Sequence, residues 1–192
     1  MIVENKPAKL EEIEPLNLFE MHILRERRKK SLCRLSIEIL LTAAVVFLLF
    51  GVIAGIAIVK GDSMLPSLTD GSMALFYRLD KTYERNDIVI FKPSDMDELL
   101  IKRVVAIEGD QVDINNKTGE LFINGIVQKE KTVIGETHQR EDGVTFPLVV
   151  PKGFVFVMGD NREVALDSRY LGTIKTQSLI GKVVFEIKIL RD

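Results

Sequence analysis

A single cysteine, Cys33, in a chain of 192 residues forbids any intrachain disulfide. There are only two histidines, His22 and His138, far apart in sequence. With one cysteine they make a poor ligand set for a transition metal, so no metal site is expected. The formal net charge is -2, and this near-neutral balance carries no footprint for nucleic acid. Internal repeats and low-complexity linkers are missing as well. The longest absence is of charge itself. From Ile39 to Val59 there is no charged residue, and Thr42 is the one strongly polar side chain.

That uncharged run has the length of a membrane span. Its 21 residues would extend about 31 Å as a helix, close to the thickness of one hydrocarbon core. A helix buried in a soluble core would more often carry a polar stripe, which this run lacks. A cleaved leader fits poorly, because the run is too long and 38 residues precede it. Residues 36–59 are therefore expected to form a transmembrane helix. Arg25, Arg27, Arg28, Lys29, Lys30 and Arg34 crowd its N-terminal side, whereas Lys60 is nearly alone on the other. The positive-inside rule then leaves residues 1–35 in the cytoplasm and residues 60–192 outside. Within the first segment Pro7 and Pro15 break any early helix, and a short amphipathic helix is expected over about Leu16–Lys30. Cys33 reads as a small apolar residue near the headgroups, in a reducing compartment.

Beyond Val59 the chain reads as strands. Met73–Tyr77, Asp87–Phe91 and Gly153–Met158 are short, rich in β-formers and bounded by polar turns. Over Lys182–Leu190, Phe185, Ile187 and Ile189 share one face, and Glu186 and Lys188 the other. Asn124-Gly125, between Leu121–Ile123 and Ile126-Val127, signals a type I′ hairpin. No long helix-period segment follows the membrane run. The expected fold class is mainly β, an antiparallel external domain behind one transmembrane helix. The polar, turn-rich stretch near 113–149 is expected to form a hairpin insertion in it.

Two residues stand out chemically. Ser63 lies in Gly61-Asp62-Ser63-Met64-Leu65-Pro66, four residues past the apolar run. Lys102 sits among aliphatics in Leu99–Val105. A serine hydroxyl needs a base within hydrogen-bond reach. His22 falls on the wrong side of the membrane, and His138 lies in the charged stretch Thr137–Asp142. A lysine serves as base once burial lowers its pKa and leaves it neutral. On a strand, Lys102 shares a face with Leu100 and Val104, while Ile101, Arg103 and Val105 face the other way. The bland alternatives are a turn serine and a snorkelling surface lysine. A third dense stretch, Met158–Gly172, holds Asp160, Arg162, Asp167 and Arg169, of which Asp167 and Arg169 are spaced to form a pair that pins a loop.

Taken in order after a membrane helix, these motifs resemble the type I signal peptidases of bacteria. They are Gly61–Leu68, Asn86–Phe91, Ile101–Asp110 and Gly159-Asp160-Asn161-Arg162 followed by Asp167–Gly172. A single membrane helix with a small external domain looks most like the forms from Gram-positive bacteria. The resemblance reaches from the membrane helix to about Gly172 and leaves the first 35 residues uncovered. It implies a coiled, partly barrel-like antiparallel sheet, with Ser63 as nucleophile and Lys102 as general base. Asp167 and Arg169 match the pair that shapes the site. Asp160 and Arg103 match its supporting residues, and Gly61 and Ser168 stand in the same supporting motifs. Met64, Leu68 and Ile101 match positions near shallow apolar pockets. Gly61 stands where some relatives carry an oxyanion-hole serine, and Ala165 where the family typically has a serine holding the lysine amine. The implied substrates are secretory preproteins with small residues at the first and third positions before the cut, processed at the lipid bilayer without a cofactor. Two other readings stay open at this stage. One is a Ser-Lys peptidase dedicated to a single target. The other is a membrane-anchored assembly module that has lost catalysis, for which Ala165 is the only support.

Overall fold

The computed structural model describes Leu18–Lys188, apart from Asp95 and Lys131. Pro7, Pro15 and the first residues of the expected amphipathic helix lie outside the described residues, as do Ile189 and Leu190. By internal packing the chain divides after Val45. Helix α1 runs from Leu18 to Phe47 with no buried residue. It continues through a π-helical turn, Leu48–Ile53, giving 36 helical residues, long and apolar enough to cross a membrane.

The end of that helix corrects the expected span. Helix stops at Ile53 rather than Val59, and Ala54–Ile58 is a strand, β1. An apolar run has no periodicity to separate buried helix from buried strand. Pairing decides instead. β1 meets β2 (Met73–Tyr77) from Ala54↔Tyr77 to Ile58↔Met73, so its backbone groups find partners in a sheet.

The remaining strands are β3 (Ile88–Phe91), β4 (Leu100–Ile107), β5 (Gln111–Asn115), β6 (Glu120–Ile123), β7 (Ile126-Val127), β8 (Leu148-Val149), β9 (Phe154–Met158), β10 (Ile174-Lys175) and β11 (Leu179–Ile187). A four-residue helix, α2, spans Ser168–Leu171. Every strand pair is antiparallel. Seven strands form one sheet in the order β1-β2-β11-β3-β4-β9-β10, curled into a half-barrel. Bulges on β11, between Leu179 and Gly181 and between Val183 and Phe185, and on β4, between Val104 and Ala106, supply bends of the kind that curl a sheet. The turn-rich stretch forms the second sheet, β7-β6-β5-β8. Its hairpin turns at Asn124 (φ 53°) and Gly125 (φ 76°), both left-handed as a type I′ turn requires.

Alternation along β4 sorts its neighbours. Leu100 and Val104 pack with Val89 and Val157, whereas Ile101 packs with Met64 and Leu68. Between the sheets, Val112, Ile114, Leu121 and Ile123 close against Phe156 and Met158. At the end of β11 the alternation buries little, and Phe185 and Ile187 are exposed.

Candidate active site

The loop bearing Ser63 leaves β1 and returns into β2 through a short neck. Val59 N–H donates to Ser72 C=O, and Gly71 N–H to Val59 C=O, both at 2.9 Å. Inside the loop, Gly61 (φ 76°) donates its N–H to Asp70 Oδ1 at 2.7 Å. Thr69 N–H donates to Glu186 Oε1 on β11 at 2.7 Å, tying the loop to the sheet. The carbonyl of Ser63 accepts the N–H of Asn161 at 3.1 Å. Gly159 completes the fit, since a Cβ there would lie 2.6 Å from Ser63 O and 2.3 Å from Ala165 Cβ. Glycine is needed here for close approach rather than for a turn.

Lys102 comes from β4, opposite Val89 of β3. It is 2 % exposed. Its Nζ lies 2.8 Å from Ser63 Oγ and donates to the carbonyl of Ile101, also at 2.8 Å. Burial strips water from the ammonium and pushes its pKa down from 10.5 to about 8, while the charges of Asp167 and then Asp160 pull it partly back up. A neutral amine at that distance can accept the hydroxyl proton. Ala165 is buried beside Gly159 and offers no hydroxyl, and in this structure the second contact of the amine is the Ile101 carbonyl.

Two bidentate pairs frame these groups. Arg103 holds Asp160 through Nε (2.8 Å) and Nη2 (2.6 Å). Its guanidinium also reaches Asn86 O and Ser67 Oγ, each at 2.9 Å. One side chain thus links β4, the nucleophile loop and the 159–167 loop. Asp167 and Arg169 are each 1 % exposed and pair at 3.0 Å and 2.9 Å. Asp167 also caps α2 by accepting Arg169 N–H, and it accepts Gly159 N–H at 3.1 Å. Ser168 Oγ accepts Val157 N–H at 2.9 Å and so fastens α2 to β9.

Arg162, from the dense Met158–Gly172 stretch, and Arg140, which the sequence did not flag, hold the same loop. Arg162 is 1 % exposed and bonds Glu130 (2.6 Å), Thr137 and Gly159 O. Arg140 reaches the carbonyls of Arg162, Glu163 and Ala165. Glu130, Thr137 and Arg140 sit in an irregular segment whose composition resembles any solvated loop, so no local signal marks them. His138 lies elsewhere in chemistry: its exposed ring pairs with Glu136 at 3.0 Å.

A cavity of about 710 Å³ opens beside Ser63 and Lys102. Met64 and Ile101 line it. Leu68 does not; it is 2 % exposed and packs behind Met64 against Val59 and Ala74. Ile56, Ile58, Phe76 and Ile90 also line it, and the sequence singled out none of them; Ile56 and Ile58 lie in β1, a segment expected to be membrane helix.

Residues 32–188 match the family model described as signal peptidase, peptidase S26. The chain is 33 % identical over 174 residues to signal peptidase IB of Staphylococcus aureus, covering 82 % of this chain and 90 % of that protein. It is 32 % identical over 170 residues to thylakoidal processing peptidase 1, chloroplastic, of Arabidopsis thaliana, across 81 % of this chain. The chain spans about half the length of that relative, 48 %. A crystal structure of a signal peptidase I from Enterococcus faecalis aligns with 54 % of this chain and 97 % of its own, at TM-score 0.45 and 28 % identity.

Proposed function

The chain belongs to the peptidase S26 signal peptidase family, and from that premise we propose that Ser63 and Lys102 are its nucleophile and general base. The observation that carries the reading is the 2.8 Å separation of Lys102 Nζ from Ser63 Oγ, with the amine 2 % exposed. Neutral Lys102 takes the hydroxyl proton as Ser63 Oγ attacks the scissile carbonyl carbon. The backbone N–H of Ser63 supports the charge that develops on the carbonyl oxygen. The lysine ammonium then gives its proton to the departing amine. In the second half, Lys102 takes a proton from water, hydroxide attacks the acyl carbon, and Ser63 Oγ leaves as the proton returns to it.

The substrates are preproteins whose signal peptide ends in small residues at the first and third positions before the cut. Apolar walls formed by Met64, Ile101 and Ile56 suit short aliphatic side chains. β1 is the outer strand of the large sheet, so an extended segment beside it gains main-chain hydrogen bonds. The basic flank of α1 supports a cytoplasmic N-terminus, with the β unit and its site outside the membrane. The test uses the full chain in detergent with a preprotein whose signal ends in Ala-x-Ala. Cleavage after the final alanine, lost in both Ser63→Ala and Lys102→Ala, is the expected result. Unchanged rates in either variant would refute the dyad.

A further inference from the structure

The cavity has a charged end that the peptidase reaction leaves unexplained. Arg78, at the far end of β2, lines the same cavity as Ser63. Its backbone N–H donates to Ile53 O at 2.9 Å, which sets it level with the start of β1. The side chain folds back over the strand. Its Cζ lies 5.1 Å from the centre of the Phe76 ring, and Nη1 donates to Gly51 O at 3.0 Å. Gly55 makes the room for this: a Cβ there would stand 2.3 Å from the Phe76 ring and 2.7 Å from Arg78 Nη2. A guanidinium is always charged. Among the described residues no carboxylate lies within 4.0 Å of this one, and its buried Nε has no acceptor. The other charged residues lining the cavity are Lys60, Glu98 and Lys102.

Resting on the signal peptidase reading, we infer that Arg78 is a specificity residue, recognising an acidic or hydrogen-bond-accepting side chain about five residues before the cut. Four residue steps lead from Val59, beside the nucleophile loop, to Gly55, over which the guanidinium lies. At about 3.3 Å per strand residue this is roughly 13 Å, the reach of four steps of extended substrate. Side chains alternate along such a segment, so the fifth residue shares the face of the small first and third. Direction follows from the chain. The apolar helix ends at Ile53, at the Arg78 end of β1, and a preprotein whose apolar core is in the bilayer approaches from that end.

The test needs three peptides that differ only in Glu, Gln or Lys at the fifth position before the cut, and three with the same residues five positions after it. The full chain cleaves them in non-ionic detergent, and kcat/KM ratios are read within each variant, so a general loss of activity in a variant cancels. Wild type is expected to favour Glu over Lys by about tenfold, the effect of one modest ion pair, expressed mainly in KM. Arg78→Gln should flatten that ratio and Arg78→Glu invert it, with no preference at the position after the cut. A wild-type ratio near one, a preference that survives in both variants, or a preference only after the cut overturns the inference. The same cleavages are repeated with anionic lipid added to the detergent; an Arg78→Gln loss that is equal for all peptides and appears only there also overturns the inference and assigns the guanidinium to a headgroup phosphate. Failure of wild type to cleave any of the six would instead sink the peptidase reading, and this inference with it.

Discussion

Replacing Lys102 by methionine should abolish cleavage and, at neutral pH, lift a penalty on the fold. The lysine titrates at about 8 in the folded protein against 10.5 in the unfolded chain. Between those values the unfolded state holds more protons, so the stability of the wild type rises with pH across that window. Below pH 8 both states are charged, and the buried ammonium carries its full cost. A shift of about 2.5 units corresponds to roughly 3 kcal/mol. Methionine keeps the volume but loses two hydrogen bonds of about 1 kcal/mol each. At pH 7 the variant should therefore be the more stable by about 1 kcal/mol, and by pH 10 the order should reverse. The assay is denaturant unfolding of both full-length proteins in the same detergent at pH 7 and pH 10. Their difference should change by about 3 kcal/mol. The same titration sets the rate. The neutral fraction of Lys102 falls to about a tenth at pH 7 and a hundredth at pH 6, so kcat/KM of the wild type should drop tenfold per unit below about 8. A stability difference independent of pH, joined to a flat rate profile between pH 6 and 8, would refute both the buried neutral amine and its use as base.

Two other outcomes test the frame around the dyad. Gly159→Ala drives a methyl group into Ser63 O and Ala165 Cβ, and the resulting displacement should lower kcat by about a hundredfold. A circular dichroism spectrum unchanged from wild type would confirm that the fold survives, and unimpaired turnover would contradict the packing. Asp167→Asn leaves the buried Arg169 guanidinium without its carboxylate and should cost about 3–5 kcal/mol in an unfolding titration. Because the Asp167 charge raises the Lys102 pKa, whatever activity survives should have its acid limb moved to lower pH; a limb moved upward would contradict the electrostatics.

Much of the site was legible because its parts are local words. Gly61–Leu68 and Gly159–Arg169 are short motifs, and the structure joins their ends through Asn161 N–H to Ser63 O. The Asn124-Gly125 hairpin was legible for the same reason, since two left-handed residues are a property of the turn alone. Strand β1 was not. Ala54–Ile58 continues an apolar run, and only its pairing with Met73–Tyr77 makes it a strand. That one boundary hid Ile56 and Ile58 as cavity walls and Gly55 as the notch for Arg78.

By itself the sequence determined the uncharged run, the order of the motifs and the alternation on β4 that separates Ile101 from Leu100 and Val104. These depend on residue type and spacing within one segment. Tertiary structure alone decided that Lys102, 39 positions beyond Ser63, delivers its amine to 2.8 Å from that hydroxyl. It also decided that the amine is dry enough to lose its proton near pH 8. Burial is a property of what several strands place around an atom. The groups that hold the 159–169 loop from outside, Glu130, Thr137 and Arg140, likewise gain their meaning only from contacts 22 to 32 residues away.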